Sequence, residues 1–226
     1  MVTYESLNPE LDRIRAYSKS IDCFSWTSDD YQRDILKFIL ENSPNAQYRS
    51  IIEVGCFRGG LTVQLAAVCR ALGLHLHTMD VWDVAVDTTR KHLNALKLAD
   101  AATVFHGDLS QFVTKSKVPA PILLTILDGD HLYQAVRKDI ESVYRLSSLP
   151  YACVFHDYSL RHPTIDERVS DAVADAFGEG ADVSMIGAKM TADGSLPTKD
   201  RPQPDGHYWQ TPGSEGAIVL LPKQLM

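Results

Sequence analysis

The sequence has only four cysteines, and none of them form a metal-binding or redox pair. Cys23, Cys56, Cys69 and Cys153 make no CxxC spacing, which excludes zinc-ribbon and thioredoxin-type sites. Cys69 and Cys153 lie in apolar patterns, where free buried thiols are expected. No staple is needed, because a chain of 226 residues can bury roughly 70% of its unfolded surface. Such cysteine usage fits a reducing, cytoplasmic setting. Apolar runs long enough to span a membrane are missing. The opening "MVTYESLNPELDRIRAY" has early acids and no apolar core of a signal peptide. Basic charge is also short: 22 Lys and Arg stand against 29 Asp and Glu, a net −7. That balance argues against nucleic acid or an anionic membrane as partner. Repeats and low-complexity tracts are absent.

What the chain does have is alternation. Short apolar runs, "RSIIEVG" (49–55), "LHLHTMD" (74–80), "ATVFHGD" (102–108), "PILLTIL" (121–127) and "YACVFHD" (151–157), read as strands. Between them "LTVQLAAVCRALG" (61–73), "DTTRKHLNALKLA" (87–99), "LSQFVTKS" (109–116), "YQAVRKDIESVYRLS" (133–147) and "IDERVSDAVADAFG" (165–178) carry helical spacing. Strands alternating with helices predict an α/β fold with a parallel sheet covered on both faces. The last two strand candidates, 182–188 and 215–221, have no helix between them and could pair as an antiparallel hairpin. Residues 1–45 contain one amphipathic helix, "DDYQRDILKFILEN" (29–42), and read as a cap on a domain spanning 46–226.

In open α/β sheets, ligands bind beyond the carboxyl ends of the strands. Five strand ends here carry an acid: Glu53, Asp80, Asp108, Asp128 and Asp157. "EVGCFRGG" (53–60) spaces its key residues as E-x-G-x-x-x-G, through Glu53, Gly55 and Gly59. A dinucleotide turn would read GxGxxG, and Glu53 would repel a diphosphate. A ligand with an amino group suits this turn better, so a nicotinamide oxidoreductase is disfavoured. Asp80 is placed to accept hydrogen bonds from the two hydroxyls of a ribose. Asp108 could meet the exocyclic amine of an adenine, or equally cap the helix that follows it.

These motifs resemble the class I S-adenosylmethionine-dependent methyltransferases, from about residue 30 onward. "IIEVGCFRGGLT" is similar to their first motif, "HTMDVWD" to their ribose-binding strand end, and "FHGD" to their adenine-side strand end. The resemblance implies a Rossmann-like, seven-stranded, mostly parallel sheet with helices on both faces and a C-terminal antiparallel hairpin. It implies S-adenosylmethionine as cofactor, contacted by Glu53, Gly55, Gly59, Asp80, Asp108 and Asp128.

Transfer of a methyl group to a hydroxyl requires removal of a proton, by a base, a metal or both. "LDGDHLYQAVRKDI" followed by "VFHDY" resembles the small metal-dependent O-methyltransferases that tailor natural products, of the macrolide-sugar and aminocoumarin-sugar type. That likeness implies a divalent ion held by Asp128, His156 and Asp157, with His131 as base and Asp128 beside it in catalysis. Mg²⁺ is the expected ion, with Mn²⁺ or another as alternatives, because histidine is a poor Mg²⁺ ligand. Asp130 is expected at the helix start. The long segment "KMTADGSLPTKDRPQPDGHYWQTPGSEG" (189–216) is expected to cover a small-molecule acceptor together with residues around "DCFSWTSDDY". Two other readings stand beside this one: a metal-independent N- or O-methyltransferase, and a non-catalytic cofactor-binding protein of the same fold. Oligomeric state is left open by the sequence, a homo-oligomer included.

Overall fold

The computed structural model of the chain describes residues 2–21, 23–43, 48–178, 180–188, 197–211 and 214–221. Two helices come first, α1 (Tyr4–Ser20) and α2 (Asp29–Asn42). Strands and helices then alternate: β1 (Ser50–Val54), α3 (Gly60–Leu72), β2 (His75–Asp80), α4 (Asp83–Ala95), β3 (Ala102–His106), α5 (Leu109–Lys115), β4 (Ile122–Leu127), α6 (Tyr133–Tyr144) and β5 (Ala152–His156). The chain continues through β6 (Leu160–Arg161), α7 (Val169–Phe177), β7 (Asp182–Ile186), β8 (Tyr208–Trp209) and β9 (Gly216–Leu220).

Seven of the described strands form one sheet, in the order β3-β2-β1-β4-β5-β9-β7. The pairs among β1 to β5 are parallel, and β9 runs antiparallel to both β5 and β7. This is the Rossmann-like arrangement expected, with its antiparallel C-terminal pair. Because β9 is reversed, its first residue lies beside the last residue of β5, Gly216 opposite His156. A segment that starts a strand thereby reaches the edge where the other strands end.

Strand side chains alternate between two cores. Ile51 packs with Leu11, Ile14, Ile35 and Ile39 of α1 and α2 and with Val63 and Ala67 of α3. Its neighbour Ile52 packs on the opposite face with Phe112, Val136, Ile140 and Val173. Full burial of such a side chain contributes about 1.5–3 kcal/mol, so both faces are committed. The N-terminal segment carries two helices rather than the one expected. α1 starts at a capping box in which Thr3 accepts the Ser6 N–H and the Ser6 hydroxyl answers at the Thr3 N–H. Pro9, inside the helix, masks that start in the sequence, because proline usually argues against a helix interior. All four cysteines are buried and free. No described helix is long and apolar enough to cross a membrane.

Candidate active site

A cleft of about 1280 Å³ opens at the carboxyl edge of the parallel strands. Its floor is the set of strand ends, and tertiary structure gives each acid there a different environment.

At β1, Gly55 turns the chain with φ +89 and lines the cleft. A Cβ on it would lie 1.9 Å from the Asp128 carbonyl oxygen, so only glycine allows the β1 and β4 ends to come this close. Glu53 stands below the turn and does not line the cleft. It is buried, and its Oε2 accepts the hydroxyls of Thr62 (2.7 Å) and Thr78 (2.6 Å). Burial pushes its carboxyl up to about 7 against the pull of those two hydroxyls. Gly59 also takes a left-handed conformation, φ +82, at the start of α3. It packs toward Thr89 of α4 and lies outside the cleft lining.

Asp80 at the end of β2 lines the cleft. Its two oxygens accept the backbone N–H groups of Phe57 (2.9 Å) and Trp82 (3.0 Å). Phe57 is left-handed at φ +46, and the bond to Asp80 holds it there. The rings of Phe57 and Trp82 stack with centroids 6.3 Å apart, and Trp26 reaches over Phe57 at 6.1 Å. All three rings form one wall of the cleft. Asp108 lines the cleft but also caps α5. Its Oδ1 accepts the Gln111 N–H at 2.8 Å, and its Oδ2 pairs with the Lys138 ammonium at 2.7 Å. Burial works to raise its carboxyl, yet Lys138 and the cap hold it below the ordinary value. Asp130 accepts the Leu132 N–H at 2.9 Å, just ahead of α6, as expected for a helix-start acid.

The centre of the cleft floor is a cluster. Asp128, His131 and His156 each place one ligand atom so that all lie within 4.8 Å of one another. His156 Nδ1 is 2.9 Å from Asp128 Oδ1 and 3.4 Å from Asp157 Oδ2. His131 faces the same two acids with different nitrogens, Nδ1 at 3.4 Å from Asp157 and Nε2 at 3.7 Å from Asp128. Asp157 therefore touches both imidazoles but stands outside the trio of converging donors, and His131, expected as a free base, stands inside it. Asp157 follows β5 in a left-handed turn, φ +50, which aspartate tolerates better than most residues. Burial alone would raise the Asp128 carboxyl, but His156 and then His131 hold it at about 2. Burial likewise opposes an imidazolium at His156, and Asp128 and Asp157 overcome it, keeping the group charged well above the usual range.

Behind His156 lies a residue that sequence reasoning missed. Glu215 is fully buried, and its Oε1 accepts His156 Nε2 at 3.0 Å. Glu215 also accepts the Ser28 N–H, at 3.0 and 3.2 Å, and Ser28 is the N-cap of α2. With Nε2 committed, Nδ1 is the nitrogen turned to Asp128. The available signal was a charged residue opening an apolar strand, in "EGAIVLL".

The cluster fits a divalent cation. His131 Nε2 and Asp157 Oδ1 are buried without a hydrogen-bond partner, whereas buried polar atoms are ordinarily paired. Two imidazoles and a carboxylate form a donor set for Mn²⁺, Fe²⁺ or Zn²⁺ more than for Mg²⁺. A carboxylate behind a histidine ligand, as at Glu215, is the usual way such a ring is oriented.

The described part of the late segment pairs and packs, although its sequence has no usable period. Residues 189–196 and 212–213 lie outside the described residues. The rest pairs β8 with β6, Trp209 opposite Leu160. His207 Nε2 meets Glu167 at 2.9 Å. Gln203, His207 and Trp209 line the cleft from this segment, and Ser25 and Trp26 line it from the N-terminal segment.

Residues 52–158 match the family model for a methyltransferase domain. No curated protein matches the chain in sequence. Solved structures share its fold. An O-methyltransferase candidate from Klebsiella pneumoniae superposes with a TM-score of 0.64 at 15% identity, over 94% of this chain and 90% of that one. The O-methyltransferase from Bacillus cereus, in complex with S-adenosylhomocysteine, gives 0.59 at 16% identity, over 98% and 93%. The O-methyltransferase of tomaymycin synthesis from Streptomyces achromogenes, in complex with S-adenosylmethionine, gives 0.58 at 17% identity, over 93% and 88%. Residues 52–158 carry a methyltransferase domain, and the chain shares its fold with these solved O-methyltransferases.

Proposed function

We propose that the protein transfers a methyl group from S-adenosylmethionine to a hydroxyl of a small molecule, assisted by a divalent ion at Asp128, His131 and His156. The observation that carries this reading is the convergence of those three donors, with buried unpaired atoms among them, on the floor of the same cleft that Asp80 lines. Asp80 takes the ribose hydroxyls while its bonds to Phe57 and Trp82 fix the turns around the sugar. Gly55 lets the β1 and β4 ends close on each other, which sets Asp128 beside it at the cleft floor. Glu53, its Oε2 taken by two threonines, braces the turn from below.

A bound divalent ion supplies Lewis acidity that lowers the pKa of an acceptor hydroxyl. The chain's own part is orientation and proton removal. Glu215 fixes His156, and Asp157 contacts both imidazoles. Asp157 Oδ1, buried at the cleft and without a partner, is the carboxylate oxygen left to receive the hydroxyl proton. His131 is thereby reassigned from base to ligand, because both of its nitrogens face carboxylates. The polar side chains Glu167, Gln203 and His207, with Trp209, bound the acceptor end. The polar lining suits an acceptor that carries several hydroxyl groups, as sugars and natural products do.

The test begins with calorimetric titration of S-adenosylhomocysteine. Wild type should bind and Asp80→Ala should bind at least about tenfold more weakly, since a charged acceptor of two hydroxyls contributes more than about 1.4 kcal/mol. Acceptors are then screened with methyl-labelled cofactor, before and after exhaustive chelation. Wild-type turnover in the chelated protein would remove the metal from the mechanism. Absence of S-adenosylhomocysteine binding by wild type would remove the reading altogether.

A further inference from the structure

The end of the cleft beyond Asp80 is bounded by Gly107, Asp108, Gly129, Asp130, Lys138 and Asp139. Three of these are acids, and two are already engaged. Asp108 divides its oxygens between the α5 cap and Lys138. Asp130 accepts the Leu132 N–H. Asp139 differs: it makes no hydrogen bond and no ion pair with any described residue, although it is half-buried on α6 and faces the cleft. Its carboxylate lies beside Gly129, where an added Cβ would stand 3.9 Å from Oδ2.

A half-buried carboxylate next to two other acids is unfavourable unless something donates to it. Burial, and then the Asp108 charge, push its carboxyl up to about 7. No described residue donates a hydrogen bond to it, so its oxygens are open to a donor on a ligand in the cleft. The β3 end adjoins the β2 end, with the Gly107 N–H bonded to the Asp80 carbonyl at 2.8 Å. A nucleoside whose ribose rests on Asp80 therefore directs its base along this edge, between Asp108 and α6.

We propose that Asp139 reads the exocyclic amine of the adenine in the cofactor, a role that the strand-end motif assigns to Asp108. The inference rests on the S-adenosylmethionine reading above. Adenine offers two N–H donors at that amine. Hypoxanthine offers a carbonyl oxygen in the same place, which a carboxylate repels. Asp139 thereby selects adenosyl over inosyl ligands, while Asp108 with Lys138 holds the wall in position.

The experiment compares S-adenosylhomocysteine with S-inosylhomocysteine by calorimetry at pH 8, on wild type, Asp139→Asn and Asp108→Asn. Wild type is expected to prefer the adenosyl ligand at least tenfold. In Asp139→Asn an amide can both donate and accept, so the preference should fall below about threefold with circular dichroism unchanged. In Asp108→Asn the preference should persist. An undiminished preference in Asp139→Asn overturns the assignment, and its collapse in Asp108→Asn instead returns the role to Asp108. Failure of wild type to bind S-adenosylhomocysteine would mark a failure of the cofactor reading itself, and the Asp139 role would fall with it. Binding of both ligands by wild type with equal affinity would overturn the Asp139 role alone.

Discussion

Replacing Glu215 by glutamine should weaken divalent-ion binding about 10–100-fold while leaving the protein folded, the range expected when a carboxylate behind a histidine ligand is lost. The structural basis is the double duty of this side chain. It orients His156 through Nε2 and accepts the N–H that begins α2. Glutamine keeps the shape and one carbonyl acceptor, but it removes the charge and places an NH₂ group against the Ser28 N–H. Hydrogen bonds to charged groups contribute about 1.5–3 kcal/mol against about 1 kcal/mol for neutral ones. The expected stability loss is therefore about 1–2 kcal/mol, or roughly 2–8 °C in Tm for a chain of this size.

Alanine is the less informative substitution. It strands both the buried Ser28 N–H and His156 Nε2, at about 1–3 kcal/mol each, and leaves a cavity behind Tyr31, whose ring meets His156 edge-on at 5.0 Å. A sum near 3–6 kcal/mol approaches the whole stability of a typical domain. The assay is Mn²⁺ titration by calorimetry in the presence of S-adenosylhomocysteine, with thermal melts in parallel. Wild-type Mn²⁺ affinity in Glu215→Gln, despite a lowered Tm, would refute the reasoning. His156 would then need no buried carboxylate behind it, and its place among the ligands would be lost.

Gly55→Ala should lower stability by about 3 kcal/mol or more, because it combines a left-handed φ with a Cβ driven into the Asp128 carbonyl; an unchanged melting curve would contradict the close approach of β1 and β4. Glu53→Gln should alter the pH dependence of stability. The folded carboxyl, at about 7 against an ordinary 4.5, keeps a proton that the unfolded chain has released, so wild-type stability falls as pH rises through that window and levels off above it. The full span is up to about 3 kcal/mol. Denaturant unfolding at pH 5 and pH 8 should show the variant gaining on wild type at the higher pH, and parallel behaviour of the two would count against a buried neutral Glu53. Asp157→Asn should cut kcat by about 10²-fold or more with Mn²⁺ affinity within a few-fold of wild type; equal losses in both would make Asp157 a ligand.

The alternation of strands and helices was legible because each element buries one face with its own period. The period survives in "IIEV" and "ILLTIL" whatever they pack against. The antiparallel pairing of the last two strands was legible too, since the sequence between residues 182–188 and 215–221 carries no helical period. α1 was hidden by Pro9, and the β6–β8 pair by its length of two residues per strand. A two-residue strand has no period to detect. The placement of Glu215 beside His156 also escaped, because it depends on a contact 59 residues away in sequence.

The roles of the strand-end acids show most clearly where sequence reasoning stops. All five reach one edge, and topology alone puts them there. What each does is decided by the donors that tertiary structure brings to it. Glu53 meets Thr62 from α3 and Thr78 from β2, so one of its oxygens is spent inside the fold. Asp108 meets Gln111 and Lys138 and becomes a helix cap with a counter-ion. Asp80 accepts two backbone N–H groups, yet each carboxylate oxygen has a second lone pair for a ligand. Asp157 keeps Oδ1 unpaired, and the Asp128 carboxylate faces the imidazoles of His156 and His131. An unpaired buried polar atom costs about 1–3 kcal/mol. The chain carries that cost at the cleft floor and avoids it at Asp108. The proposed ligand would supply a partner for Asp157 Oδ1, and Asp139, which no strand-end motif would have named, stands open in the same cleft.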